Sequence, residues 1–292
     1  PIPCLLVCHN RRKFLETTVV GDKDKGIETY EKLLTRLREK FIFVFISESK
    51  RADYRLDGPV IPPGIDIEEY GGYRGDMREI LRVGNAMRSR NLMFDVDFQE
   101  RVCEGLPNRV LGEDAAMPNA RPSKSFDELL TSYRDLRCLL HVTREGYEDG
   151  YNLSTLEAMA CGMPIVTLAN PTSPITDGVD GFASYDPDTL RDRITRFLDD
   201  QDLAQQIGAK GRETVAATFP ISKFVDRWRE AIETAANQRA RSKPSASATF
   251  DPGFPSVRLL LEYCQSPFTT GQYFEHALRA DNVIVTTGLR IP

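Results

Sequence analysis

Two carboxylates eight residues apart carry the strongest chemical signal in this 292-residue chain. Asp149 and Glu157 bracket the run Asp149-Gly150-Tyr151-Asn152-Leu153-Ser154-Thr155-Leu156-Glu157, which follows the apolar segment Cys138–Val142. That segment reads as a buried strand, and the residues from about Leu153 as a helix. Asp149 then stands in the loop between them, with Glu157 about one turn into the helix. A helix amino terminus presents unpaired N–H groups and a positive dipole end, both suited to a diphosphate. A carboxylate at Glu157 can accept hydrogen bonds from the two hydroxyls of a ribose. Elsewhere, His9 follows the apolar run Pro3–Cys8, and Arg88 and Arg90 follow Ile80–Val83. A guanidinium grips phosphate bidentately, although solvated loop arginines fit the pattern as well. Asp95-Val96-Asp97 precedes another helical stretch, where Asp ordinarily caps. No metal site is expected there.

Positioning these groups falls to an alternation of strands and helices. Pro3–Cys8 and Phe41–Ile46 read as strands, with Tyr30, Leu33, Leu34 and Leu37 forming one helical face between them. Val60-Ile61 leads into the turn Pro62-Pro63-Gly64. Strands are then expected at Ile80–Val83, Arg109–Leu111, Cys138–Val142 and Ile165–Leu168. Helices are expected at Asp97–Gly105, from the capping box Ser125-Phe126-Asp127-Glu128, and over Leu153–Ala160. Another starts at Asp186-Pro187, with Leu190, Ile194, Phe197 and Leu198 inward. Two more follow, ending with Phe224, Trp228 and Ile232 inward. Such an order implies βαβ units and a parallel sheet, an α/β protein. Open sheets of this kind bind ligands at the carboxyl edge, which is where Asp149 and Glu157 fall.

Composition narrows the class. Charged residues make up 28% and the net charge is −5, which excludes a broad nucleic-acid-binding face. No apolar run reaches the roughly 18–20 residues that span a bilayer. Six cysteines without a C-x-x-C pair read as reduced, buried thiols and a cytoplasmic protein. His141, inside a strand, reads as a hydrogen-bonded core histidine, and His276 receives no role. Residues 237–255 are poor in core formers and read as a linker. Beyond it a strand–helix–strand pattern restarts over 256–292. Together with a first residue that already lies in a strand, this suggests a piece of a longer chain.

Asp149 to Pro164 resembles the donor-site signature of retaining GT-B glycosyltransferases of family 4, written E-G-F-G-L-x-x-x-E-A-M-A-C-G-x-P. Asp149, Gly150, Tyr151, Leu153, Glu157, Ala158, Met159, Ala160, Cys161, Gly162 and Pro164 fall in register. Asp149 replaces the usual Glu, and Asn152 the usual Gly. Ile61–Asp66 resembles the V-I-P-N-G-V-D turn joining the two GT-B domains, and Asp177–Phe182 the later D-G-x-x-G-F turn. Gly84 and Asn85 stand where the family has Gly-Arg, and Arg90 where it has Lys, with Arg88 as a fallback.

The resemblance implies a GT-B fold with a partial N-terminal, acceptor-side domain at 1–65 and a nucleotide-sugar domain at 66–236. It implies a hexosyltransferase moving a sugar from a nucleotide diphosphate sugar to a carbohydrate, lipid or protein acceptor with retention, without a metal or other cofactor. Asp149 would touch the sugar, Glu157 the ribose, and Arg90 the diphosphate. His9 would lie near the reacting centre, the packed or solvated alternative remaining open. Gly150, Tyr151, Asn152, Leu153, Gly84 and Asn85 would complete the donor site. A non-catalytic sugar-nucleotide-binding module and a GT-B epimerase are the alternatives. Residues 256–292 resemble the opening of a further N-terminal domain, either of a tandem unit or, in a reordered chain, pairing beside Pro3–Cys8.

Overall fold

The computed structural model describes residues 4–12, 28, 31–32, 34–38, 41–144, 146–147, 152–170, 172–241 and 258–261. The expected helix 273–280, the strand 282–286 and site residues Asp149, Gly150 and Tyr151 lie outside the described residues. Two compact units divide the chain, one of residues 1–62 with 224–292 and one of residues 63–223.

The first unit holds a three-stranded parallel sheet. Strand β1 (Cys4–Cys8) lies between β2 (Phe41–Phe45) and β9 (Arg258–Leu261). Cys4 pairs with Arg258 in the β1–β9 register, so the strand after the linker lies beside the amino-terminal one. Helix α1 (Glu48–Tyr54) follows β2, with Ser47 at its N-cap accepting from the Lys50 N–H at 3.2 Å. On one face Leu6, Phe43 and Phe45 pack with Leu34, Leu37 and Tyr54. On the other, Leu5, Val7, Val44 and Ile61 meet Ala231 and Ala235 of the last helix, α8 (Ile221–Arg241). Phe224 and Trp228 face this core as expected, but Ile232 does not: it is 36% exposed, the two alanines taking the contact face. Helix α8 also runs on past residue 237, the expected start of the linker, because Asn237-Gln-Arg-Ala-Arg241 contains mostly good helix formers.

The second unit is a six-stranded, all-parallel sheet in the order β5-β4-β3-β6-β7-β8. Its strands are β3 (Met77–Val83), β4 (Asn108–Leu111), β5 (Ala120–Arg121), β6 (Leu136–His141), β7 (Ile165–Leu168) and β8 (Phe182–Ser184). Every residue of the central strand β6 is buried. Helices cover both faces. Leu130 and Tyr133 of α4 (Phe126–Asp135), Leu156, Ala158, Met159, Ala160 and Cys161 of α5 (Leu153–Cys161) and Val215 of α7 (Gln201–Thr218) pack on one. Val102 of α3 (Val96–Cys103) and Leu190, Ile194, Phe197 and Leu198 of α6 (Pro187–Asp199) pack on the other. As its sequence requires, α6 opens on Asp186 accepting from two backbone N–H groups, with Pro187 in the first turn.

The chain leaves β3 toward β4 and β5, then returns to β6 and builds β7 and β8 on the opposite side. The connections therefore diverge at the carboxyl ends of β3 and β6, the topological switch point where such sheets accept ligands.

Candidate functional site

Both segments that the sequence singles out meet at this switch point. Helix α5 begins at Asn152, whose backbone is extended (φ −102°) and whose side-chain oxygen accepts from the Ser154 N–H at 2.9 Å. Asn152 is thus an N-cap in ordinary geometry, and it occupies one of the amides that the helix would offer an anion. The helix closes on Gly162 at φ +93°, with the Met163 N–H bonded to the Ala158 carbonyl at 2.9 Å, a Schellman closure.

From Thr155 to Cys161, α5 is buried at every position except Glu157, which is half-buried and is its one charged residue. Burial raises the Glu157 pKa above the usual carboxylate value, and a hydrogen bond from Tyr133 opposes that rise. The Tyr133 hydroxyl donates to Glu157 Oε2 at 3.2 Å. Tyr70 also neighbours Glu157; its hydroxyl pKa is raised first by burial and next by that carboxylate. Leu153, four residues before Glu157, is 47% exposed.

The loop after β3 holds the other candidates. Asn85 Oδ1 accepts from the Glu113 N–H at 2.9 Å, so its side chain is committed to the loop after β4. Beside it, Gly84 leaves no room for a Cβ, which would lie 2.9 Å from Met87 Cγ. Arg88 bridges Asp97 and Glu100. Arg90 stands at the start of α2 (Asn91–Phe94), half-buried, with its guanidinium carbon 5.0 Å from the Phe94 ring centre. A second neighbour of that ring is His141, edge-on at 6.1 Å. Phe94 thereby couples the β3 loop to the end of β6. Arg144, beyond β6, completes the join: its N–H bonds the Met93 carbonyl at 2.9 Å and its guanidinium pairs with Asp95.

Several expectations are corrected here. His141 is buried, but its Nε2 has no hydrogen-bond partner, and burial lowers its pKa to about 4. Asp95 makes no side-chain cap; it sits at φ +45° between α2 and α3, and Asn91 Oδ1 accepts from the Val96 N–H at 2.6 Å instead. Asp95 and Asp97 turn to separate cations, Arg144 and Arg88. In the capping box, Ser125 accepts from the Glu128 N–H as expected, while the Glu128 carboxylate accepts from the Lys124 N–H. The Asp177–Phe182 turn is structural: Asp180 is buried and accepts from the Thr176 N–H and the Thr214 hydroxyl at 2.6 and 2.7 Å.

His9, in the first unit, follows β1 and has its pKa lowered to about 4 by burial and by nearby Lys50, which keeps it neutral at neutral pH. Sequence reasoning missed Phe94, Arg144 and the partnership of Tyr133 with Glu157. Only Tyr133 left a trace, as an apolar-face position whose hydroxyl needs a partner when buried. Among the described residues, Cys8, Cys103, Cys138 and Cys161 are buried and form no disulfide, and no helix is long and apolar enough to cross a membrane.

Residues 92–241, about half of the chain, match the family model described as glycosyl transferase-like. A trehalose synthase from Pyrococcus horikoshii is 26% identical over 95 residues, 32% of this chain and 23% of that protein. Among solved structures, S. aureus TarM aligns with TM-score 0.57 and 17% identity over 77% of this chain and 50% of its own. Anabaena HepE, solved with UDP and glucose, aligns with TM-score 0.58 and 13% identity over 79% of this chain and 72% of its own. The sucrose-phosphate synthase of Thermosynechococcus elongatus gives TM-score 0.59 and 17% identity over 81% and 68%. The chain spans half the length of TarM, and its alignment with the trehalose synthase covers under a quarter of that enzyme. With the parallel sheet, its switch point and a matched segment running from α2 through α8, the chain has the GT-B fold and belongs to the glycosyl transferase-like family.

Proposed function

We propose that this chain carries the donor site of a glycosyltransferase that moves a hexose from a nucleotide diphosphate sugar to an acceptor hydroxyl with retention. The observation that carries the reading is Glu157: the one charged residue of a largely buried helix, at the switch point, with a raised pKa. A group so costly to desolvate suits a polar ligand that supplies hydrogen bonds, and a ribose supplies two. HepE, which shares the fold, was solved with UDP and glucose.

In this reading Glu157 accepts from the ribose hydroxyls, and Arg90 with the α5 amides other than Ser154 holds the diphosphate. Asp149 and His9 keep the roles at the sugar that the resemblance gives them, with Gly150, Tyr151 and Leu153 lining the donor. The bond from the anomeric carbon to the diphosphate oxygen breaks while the acceptor oxygen bonds the same face of that carbon. The acceptor proton passes to the departing phosphate oxygen. Positive groups preorganised at that phosphate stabilise the charge that develops there. No metal enters the scheme.

A thermal-shift panel of UDP-, GDP- and ADP-sugars on the full chain identifies the donor, because a bound ligand raises the melting temperature by mass action. NMR of the product then reports the anomer. Retention is expected, an inverted linkage overturns the mechanism, and binding without transfer or hydrolysis supports the non-catalytic module.

A further inference from the structure

We propose that Tyr133 is a positioning residue for the ribose, its buried hydroxyl holding the Glu157 carboxylate in the orientation that meets the sugar. The inference rests on the reading of Glu157 given above. Tyr133 is fully buried, its ring packed in the core with Leu130, Leu136, Leu139 and Leu156. A buried phenol needs a partner, and here it is Glu157 Oε2 at 3.2 Å.

Phenol O–H has one proton to give, and a carboxylate can only accept it. The tyrosine therefore donates to Glu157. That bond ties the carboxylate of α5 to the core-facing ring of α4. Glutamate has three rotatable side-chain bonds, and fixing them at the moment of binding costs entropy. Anchoring one oxygen to a ring that cannot move removes part of that cost beforehand. A carboxylate has about four acceptor sites, so one taken by Tyr133 leaves enough for both ribose hydroxyls.

A purely structural tyrosine would look the same in the free protein but behave differently toward ligands. Calorimetric titration of the full chain with UDP and with 2′-deoxy-UDP separates the two roles, GDP and ADP with their 2′-deoxy forms replacing them if UDP does not bind. The unmodified chain should prefer the ribonucleotide about tenfold, the worth of one hydrogen bond to a charged group. Tyr133→Phe keeps the ring and should weaken the ribonucleotide several-fold while leaving the deoxy form within twofold, so that the preference collapses.

Equal effects of Tyr133→Phe on both nucleotides, or none on either, overturn the inference provided Glu157→Gln abolishes the preference. If Glu157→Gln leaves the preference intact, the ribose reading itself falls. Failure of all three nucleotides to bind overturns both. Should Tyr133→Phe not fold, Tyr133→Met, which fills a similar apolar volume without a hydroxyl, must reduce the preference in the same direction; an unchanged preference then overturns the proposal.

Discussion

Gly208 of α7 lies against the carboxyl end of α5 so closely that a Cβ on it would stand 1.8 Å from the Gly162 carbonyl oxygen. Backbone, not a movable side chain, fills that space. Gly208→Ala must push the two helices apart, and α5 carries Glu157. The expected cost is about 1–3 kcal/mol of stability, the range for overpacking, read as a lower midpoint in urea unfolding. Nucleotide affinity should fall with it.

Arg88 and Arg90 are two residues apart but differently engaged. Arg88 is held by Asp97 and Glu100, whereas Arg90 lies over Phe94. Arg90→Ala should weaken nucleotide diphosphate binding by about tenfold or more, since a charge-assisted hydrogen bond contributes roughly 1.5–3 kcal/mol. Arg88→Ala should leave affinity within about twofold and change stability by under about 1 kcal/mol, its partners being exposed. Titration of each variant with UDP, GDP and ADP checks both statements. Equal loss in the two would exchange their roles.

His141 makes the second unit acid-sensitive. Its folded pKa is about 4, below the ordinary imidazole value of about 6.5, so between these values the unfolded chain binds more protons. Stability attributable to this group is intact above about pH 6.5 and is lost progressively down to about pH 4. The expected slope is at most about 1.4 kcal/mol per pH unit. His9 adds a loss of the same sign in the first unit. His141→Leu should flatten the acid limb of unfolding free energy measured from pH 7 to 5.

Glu157 has the opposite sign. Its folded pKa is raised by burial, against the pull of Tyr133, so the folded chain holds the proton to higher pH than the unfolded chain does. Stability should fall as pH rises from the ordinary carboxylate range through the raised pKa. Glu157→Gln should therefore melt higher than the unmodified protein at pH 7 while binding bare nucleotide about tenfold to a hundredfold more weakly. Asp149→Ala should affect the nucleotide sugar and spare the bare nucleotide. Parallel melting and calorimetric titrations of the two variants separate these outcomes.

How legible this was in the sequence depended on how local the cause was. Strands β2, β6 and β7 announce themselves as apolar runs, and α6 by its cap and periodic leucine-like face. Helix α1 did not, because Glu-Ser-Lys-Arg-Ala-Asp-Tyr has almost no apolar stripe and buries Lys50 whole, with Tyr54, instead. The two residues of β5 and three of β8 are too short for any period to show. Glu157 stood out through its spacing from Asp149, but its partner Tyr133 lies 24 residues earlier and is chosen by packing alone. Arg144 and Phe94 likewise take their meaning from contacts that only the folded sheet creates.

The nesting of the two units has a consequence for synthesis. Residues 63–223 form an uninterrupted stretch lying inside the sequence of the other unit. Everything the second unit needs therefore leaves the ribosome before Ala231 and Ala235, which cover Leu5, Val7 and Val44. Domains fold as units as they emerge, so the order of maturation runs against the order of the sequence. The segment translated first must wait, with one sheet face uncovered, until the later unit is complete and α8 has followed it out.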